Sequence, residues 1–224
     1  HKVELRNVLD NITDKTCLVC HERESVHKLV DGKEVSLKVE VTNIANSVHK
    51  SITCVKCHSD ITPNITRPCE TADKVDCSSC HAEIADIYAS SGHGQAYARK
   101  QENAPYCTQC HGTHLVKSKN DETSPVFRSA VPGLCGKCHQ NDGKALIGTD
   151  LKEKDALHDY STSVHGRSLE EKGLLSAAIC TDCHTTHHNL KQSDELSSVN
   201  PKNLAATCGK CHKGIYDQFE ASDH

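Results

Sequence analysis

The sequence predicts a mostly irregular chain with a few short α-helices and one β-hairpin, folded around something other than its own side chains. The chain has 224 residues, of which 3% are aromatic and none is Trp, and its mean hydropathy is −0.57. So few large apolar side chains cannot offset the conformational entropy that is lost on folding. Cysteine and histidine, at 15 and 17 residues, are far above ordinary usage. The composition therefore predicts that an added group fills the interior.

The first predicted element is a β-hairpin. Residues 27–30 and 34–41 flank Asp31-Gly32, a dipeptide that is typical of tight hairpin turns. In the second strand, Val and Leu alternate strictly with polar residues, as in a half-buried strand. Because two strands alone are marginally stable, we expect the hairpin either to cover the added group or to pair with the edge of another subunit.

Apolar periodicity predicts the helices, and Ser, Asn and Pro predict the loops between them. In residues 82–91, three apolar side chains (Ile84, Ile87 and Tyr88) share one helical face. The other predicted helices are 94–101, 156–172 and 214–221, and the predicted surface loops are 120–132 and 192–201. A helix at His93 or His165 would hold that side chain in a fixed direction toward the added group.

Fourteen of the fifteen cysteines form seven Cys-x-x-Cys pairs, and His follows every pair directly. This spacing is the attachment signature of c-type haem, in which both thiols bind the porphyrin covalently and the histidine is the proximal iron ligand. Zinc ribbons and disulfide scaffolds use paired cysteines but do not require a histidine after each pair. The motifs are Cys17, Cys20 and His21; Cys54, Cys57 and His58; Cys77, Cys80 and His81; Cys107, Cys110 and His111; Cys135, Cys138 and His139; Cys180, Cys183 and His184; and Cys208, Cys211 and His212.

Seven further histidines recur in two local patterns and are the predicted distal ligands. Five follow a Ser-x-His pattern, and two lie three residues after a motif histidine in Cys-His-x-Thr-His. Since the chain has no Met, His/Met ligation is excluded and bis-His ligation follows, which leaves no open iron position. The predicted distal ligands are His27, His49, His93, His165 and His224 in the first pattern, and His114 and His187 in the second. His1, His158 and His188 lack these patterns and are the substitutes if one of the seven fails.

The chain repeats itself, since residues 87–138 align with 160–211 in the spacing of their motifs and distal histidines. We expect an N-terminal two-haem segment with the hairpin, residues 1–76, and a five-haem segment with the internal repeat, residues 77–224. The two segments are expected to form one continuous haem-cored unit.

These motifs resemble the multihaem c-type cytochromes with tandem, doubled CxxCH motifs. That class is similar in its motifs to this chain over residues 77–224, and it includes periplasmic electron carriers and extracellular cytochromes that polymerise into conductive filaments. Ser163-Val164-His165-Gly166 and the Gly-Lys-Cys-His ends of two motifs carry the resemblance beyond the cysteines. It implies a polypeptide wrapped around a closely stacked chain of seven covalently attached haem c groups.

The function expected from such an array is electron transfer, with no catalytic residues, because six-coordinate irons have no site for a substrate. Since a histidine lies at each extreme of the chain, we expect both ends to be held by haem iron. A terminal imidazole that binds a haem of the next subunit would build a head-to-tail filament of copies of this chain, and this filament is the expected form. The alternatives are a discrete periplasmic electron carrier and, as a third class, a multihaem reductase of a small oxyanion, which would need an open iron.

Net charge and the N-terminal residue of the chain predict its partners and its location. The formal net charge of −4 and the lack of basic runs argue against nucleic acid, and no segment is apolar enough to span a membrane. Redox proteins or an extracellular electron acceptor remain the expected partners. Because the chain has no Met and begins at His1, we expect an exported protein, extracellular or periplasmic.

Cys69 lies outside every motif, and a buried thiol, an intermolecular disulfide and a redox-sensitive site all remain open for it.

Overall fold

The computed structural model describes residues 13–61, 73–147 and 154–223. The described chain is helical and irregular with one small antiparallel sheet, so the predicted fold of a few helices and one hairpin is confirmed at that level. The helices are α1 Asp14–His21, α2 Val41–Ala45, α3 Cys54–Cys57, α4 Ala82–Ser90, α5 Gly92–Ala98, α6 Cys107–His111, α7 Val131–Gly136, α8 Ala156–Thr162, α9 Val164–Glu170, α10 Cys180–His184, α11 Pro201–Gly209 and α12 Lys213–Glu220. Short 3₁₀ turns occupy Cys77–Ser79, Arg128–Ala130 and Lys144–Leu146.

The chain divides into two compact units. The first comprises residues up to Cys80 together with Gly112–Lys117, and the second comprises His81–His111 and the chain from Ser118 onward.

The hairpin of the first unit pairs β1, His27–Val30, with β2, Lys33–Ser36. Asp31 and Gly32 both have positive φ, 50° and 77°, which is the type I′ turn that their sequence predicts. The second strand is shorter than predicted and ends at Ser36. Beyond it, Leu37 N donates to Val26 O at 2.8 Å and Val39 N donates to His21 O at 2.6 Å, and α2 begins at Val41. The alternating apolar side chains are therefore less covered than expected, and Val35 is exposed.

The predicted single helix over residues 156–172 is wrong. The structure has two helices, α8 and α9, separated by Ser163 in an extended conformation. Ser163 Oγ accepts a hydrogen bond from Gly166 N at 3.1 Å, so the serine caps the start of α9 instead of continuing α8. The helix predicted over 94–101 begins earlier, at Gly92, for the same reason: Ser91 Oγ accepts from Gly94 N at 3.0 Å.

The two helix pairs α4–α5 and α8–α9 form the same sharp corner. At each corner the glycine that follows the distal histidine, Gly94 or Gly166, lies against the carbonyl of a tyrosine, Tyr88 or Tyr160, where any Cβ would collide. Each tyrosine hydroxyl donates in turn to a main-chain carbonyl further along, Pro105 O and Ala178 O. The Ser-x-His-Gly sequence thus fixes where the histidine at each corner stands.

Protein atoms bury very little apolar surface. In the described residues one small cluster of buried apolar side chains, formed by Val131, Leu169, Ala177 and Ile179, lies in the second unit. Many larger apolar side chains are exposed, among them Leu29 at 72%, Val164 at 70% and Leu196 at 78%. Each of the two predicted loops carries a buried serine, Ser124 or Ser197, at a corresponding turn, and each serine is only 2% exposed.

Candidate haem centres

The CxxCH motifs lie on or beside short helical segments. Three helices, α1, α6 and α10, contain whole motifs, whereas the third motif begins on a 3₁₀ turn and the fifth and seventh begin at the ends of α7 and α11. In α3, α6 and α10 the two cysteines fall three residues apart, which places them on one helical face. The histidine that follows stays in the same turn, since His58 N donates to Cys54 O at 2.9 Å and His139 N to Cys135 O at 3.0 Å. This local structure presents two thiols and one imidazole together, as covalent attachment of a porphyrin requires.

Four motif histidines each face one of the predicted distal histidines. The imidazole ring centres lie 5.9–6.3 Å apart in all four pairs. The pairs are His58 with His114 at 6.3 Å, His139 with His93 at 5.9 Å, His111 with His187 at 6.1 Å, and His212 with His165 at 6.1 Å. Every pair joins one proximal and one distal candidate, and both members always lie in the same unit.

This spacing fits an iron between the rings. A metal held between two opposed imidazoles places their ring centres about 6 Å apart, because each metal–nitrogen bond takes about 2 Å and each nitrogen lies about 1 Å from its ring centre. Two imidazoles do not complete the four ligands of a zinc site. A porphyrin supplies four nitrogens in its plane, so two axial imidazoles complete six. Within the described residues no group of three or more His, Cys, Asp or Glu could hold a bare metal ion.

The pairs follow a regular connection along the chain. A histidine of the Ser-x-His pattern pairs two motifs ahead: His93, after the third motif, faces the fifth, and His165, after the fifth, faces the seventh. A histidine of the Cys-His-x-Thr-His pattern pairs two motifs back: His114 faces the second motif and His187 faces the fourth. Each of these distal candidates therefore links two motifs that are two apart along the chain.

The remaining motif histidines differ in their surroundings. His21 Nδ1 lies 2.8 Å from the main-chain carbonyl of Leu37. A carbonyl only accepts hydrogen bonds, so Nδ1 carries the proton and Nε2 keeps the lone pair that binds metals. The ring of His184 is exposed on one side, although the protein atoms around it lower its pKa by desolvation. His81 stands at the residue before α4, and its side chain makes no capping hydrogen bond there.

Burial keeps several of these imidazoles neutral, which is the form that binds a metal. Burial, with a smaller contribution from the adjacent His139, lowers the pKa of His93 to about 4. Burial also lowers the pKa of His111 and His114, and in each case the facing ring, His187 or His58, lowers it further.

The thiols of successive motifs are neighbours. In the first unit, burial and then hydrogen bonding to Asp14 raise the pKa of Cys54 to about 12, and Cys17 also contributes. Cys57 lies within electrostatic reach of Cys77 and Cys80. In the second unit the neighbouring thiols are Cys110 and Cys138, Cys135 and Cys180, and Cys183 and Cys208. Within each unit, the motifs thus follow one another in space in their order along the chain.

Three of the predicted distal ligands are not among these pairs. His27 is exposed on β1 and faces no imidazole of the described residues, whereas His49 lies half-buried in the turn after α2. His224 lies outside the described residues, as do His1 and Cys69. No second imidazole in the described chain faces His21, His184, His158 or His188.

Sequence reasoning missed the residues that support the ligands. Asn189 contacts His93, and Arg128 makes an ion pair with Asp182, which lies between the cysteines of the sixth motif. Asp182 Oδ2 also accepts from Ile179 N at 2.8 Å. Asn189 directly follows a run of histidines, but nothing in that run indicates that its partner lies near the third motif.

Comparison with protein-family models, with curated proteins and with solved structures finds no match to this chain. The chemistry assigned to these residues therefore depends on their own spacing and geometry.

Proposed function

We propose that this chain is a heptahaem c-type cytochrome that conducts electrons along bis-His haems. The observation that carries the proposal is the set of four histidine pairs, each of one motif histidine and one distal candidate, with ring centres 5.9–6.3 Å apart. The residues that would hold each group are the two cysteines and the histidine of a motif together with the facing histidine.

The polypeptide attaches, ligates and orders the groups. A haem with two imidazole ligands takes up or releases one electron as its iron changes between the ferric and ferrous states. The two cysteines of a motif would attach the porphyrin, and the facing imidazoles would exclude other ligands from the iron. Because thiols of successive motifs are neighbours, consecutive centres would lie next to each other within each unit. Hydrogen bonds to the ligands and exposure of each centre then set the separate potentials.

Mass spectrometry and electron paramagnetic resonance (EPR) test this proposal on protein matured with its haems. We expect a mass increase of seven haems and mainly low-spin ferric signals. His187→Ala is expected to convert one haem from low spin to high spin, because it removes the imidazole that faces His111. His188→Ala is the matched control, since this neighbouring ring faces no imidazole in the described chain, and it should change nothing. Far fewer than seven haems, or equal effects of the two variants, would refute the assignment.

Assembly into a head-to-tail filament is the form that we propose for this cytochrome. What supports it is that His21 and His184 face no second imidazole in the described residues, while His27 stands exposed and unmatched. A histidine from another copy of the chain could then complete such an iron, and heterologous contacts of this kind propagate when the rotation does not close a ring.

Electron microscopy of the purified holoprotein tests the filament, together with EPR before and after dissociation. We expect filaments in which the haems are low spin, and high-spin ferric signals when the filaments are dissociated. Discrete particles at every concentration, with all haems low spin, would favour a periplasmic carrier with all ligands from one chain.

His21 and His184, which face no second imidazole in the described residues, also favour the third candidate, a reductase of a small oxyanion. An iron with one open position binds such a substrate, and nitrite or hydroxylamine would then perturb a high-spin EPR signal in the assembled protein. Absence of any high-spin haem in that form excludes this function.

A further inference from the structure

Asn189 holds the segment that carries His93 by two contacts. Its main-chain carbonyl accepts a hydrogen bond from Gly92 N at 2.7 Å, and its side-chain amide lies 2.9 Å from His93 Nδ1. A Cβ on Gly92 would stand 3.2 Å from that same carbonyl, so the approach is close. One residue therefore touches both the backbone before the histidine and the ring itself.

Val116 occupies the position that corresponds to Asn189 and makes the same main-chain contact, but it has no side-chain amide. In the first unit Val116 O accepts from Val48 N at 2.8 Å, next to His49, as Asn189 O accepts from Gly92 N, next to His93. Val116 follows His114 by the same two residues as Asn189 follows His187. A valine side chain has no group that could bond to an imidazole, so the amide is particular to the His93 centre.

Proton counting decides which end of the amide must face the ring. An imidazole that binds iron through Nε2 has its only proton on Nδ1, where it can donate but cannot accept. With Nδ2 toward the ring, Asn189 Oδ1 is buried without a hydrogen-bond partner. A half-turn of the amide, whose two ends have nearly the same shape, brings Oδ1 onto the Nδ1 proton.

We propose that Asn189 is a positioning residue for the fifth centre: its Oδ1 accepts the Nδ1 proton of His93, fixes the ring with Nε2 toward His139, and lowers that centre's reduction potential. The potential falls because an acceptor on Nδ1 makes the imidazole a stronger donor to the metal and so favours the ferric state. This inference rests on the haem function proposed above.

Redox titration of the holoprotein, followed by its absorption spectrum, tests the inference with two variants of opposite effect. Asn189→Val, which copies residue 116, should shift one of the seven one-electron steps to higher potential, by about tenfold in its equilibrium constant, or about 59 mV. Asn189→Asp supplies a stronger acceptor and should shift the same step to lower potential. A residue with a merely structural role would not give shifts of opposite sign.

Asn203→Ala is the matched control, because the Asn203 amide donates to the main-chain carbonyls of Glu195 and Ser197 at 2.8 and 2.9 Å. All seven steps should keep their potentials in this variant. Unchanged steps in both Asn189 variants, or shifts of the same sign, would overturn the positioning role while leaving the haem assignment intact. A wild-type protein that lacks haem or low-spin signals would instead overturn the function on which the inference rests. Should Asn189→Val fail to fold, Asn189→Asp alone decides, since only a downward shift agrees with the proposal.

Discussion

At the scale of single residues, the two copies of the Cys-His-x-Thr-His pattern differ at one strained position. Residue x is Gly112 in the fourth motif, with φ of 80°, and Thr185 in the sixth, with φ of 62° and ψ of 167°. Glycine adopts this region freely, whereas a β-branched residue there costs about 1–3 kcal/mol. The hydroxyl of Thr185 is also buried without a hydrogen-bond partner.

Replacement of Thr185 by glycine is expected to stabilise the protein by about 1 kcal/mol, because it removes the strain and the unpaired hydroxyl together. The measurement is the guanidinium midpoint of the holoprotein. Gly112→Ala is the matched opposite change and should destabilise, since its Cβ would lie 3.2 Å from Leu115 O at a positive φ. If Thr185→Gly lowered the midpoint, the threonine hydroxyl would have to bind something in the loaded protein.

The ion pair between Arg128 and Asp182 gives a second residue-scale expectation, on pH. Burial acts to raise the pKa of Asp182, but hydrogen bonds from Arg128 and Ile179 N outweigh it, so the pKa lies below its ordinary value of 3.8. A lowered carboxyl pKa stabilises the fold above the unfolded-state value, and this contribution is lost as the pH falls through the folded-state value.

Asp182→Asn should therefore lower the stability at pH 7 by about 1 kcal/mol, a modest cost because both side chains are partly exposed. The difference in free energy of unfolding between variant and wild type should persist down to about pH 4 and disappear below it, as Asp182 takes up a proton. Denaturant titrations at several pH values measure this. A gap that stays constant down to pH 2 would contradict the role of the charge.

At the scale of elements, the repeated helix corner positions two of the proposed distal ligands, His93 and His165. Ser91 and Ser163 cap the second helix of each corner, and the glycine that follows each histidine permits the close approach to a tyrosine carbonyl. The stiffness of this corner, more than the helices themselves, determines where His93 and His165 stand.

Gly166→Ala should consequently displace His165 from His212 and convert one haem from low spin to high spin, because the added Cβ collides with Tyr160 O. EPR spectra of the ferric protein measure the change. Gly214→Ala is the control: a Cβ there meets nothing within 4 Å, and it lies close to the same centre, two residues after His212. An unchanged low-spin count in Gly166→Ala would show that the corner does not set the ligand.

At the scale of the whole molecule, protein atoms bury little apolar surface in the described residues. One small cluster of four buried apolar side chains lies in the second unit, and the exposed apolar side chains of the described residues include the large residues Leu29 and Ile215. Porphyrin faces of low polarity would cover such side chains and supply the hydrophobic stabilisation that the sequence lacks. No helix in the described part of the chain has the length and hydropathy to cross a membrane.

Removal of the haems should therefore unfold most of the chain. Protein expressed without haem attachment is expected to lose helical circular dichroism, to bind hydrophobic dyes and to be cleaved rapidly by proteases, as apo forms of small metal-dependent domains are. Protein matured with its haems is the control. A haem-free chain that melted in one cooperative transition would contradict a haem-built core.

Local sequence patterns were enough to predict the hairpin turn, the helices α4, α5 and α12, and the histidines that form the four pairs, because these features depend on neighbours within a few positions. Which histidine faces which motif could not be predicted, since each pair joins residues dozens of positions apart and depends on where the chain returns. The same holds for Asn189 and for the break at Ser163, where a side-chain cap outweighs helical periodicity. Cysteine and histidine spacing along the chain is enough to propose the chemistry of the centres, because each motif is read within five residues. Which histidine faces which motif, and which residues support it, depends on the folded structure, because packing brings distant segments together.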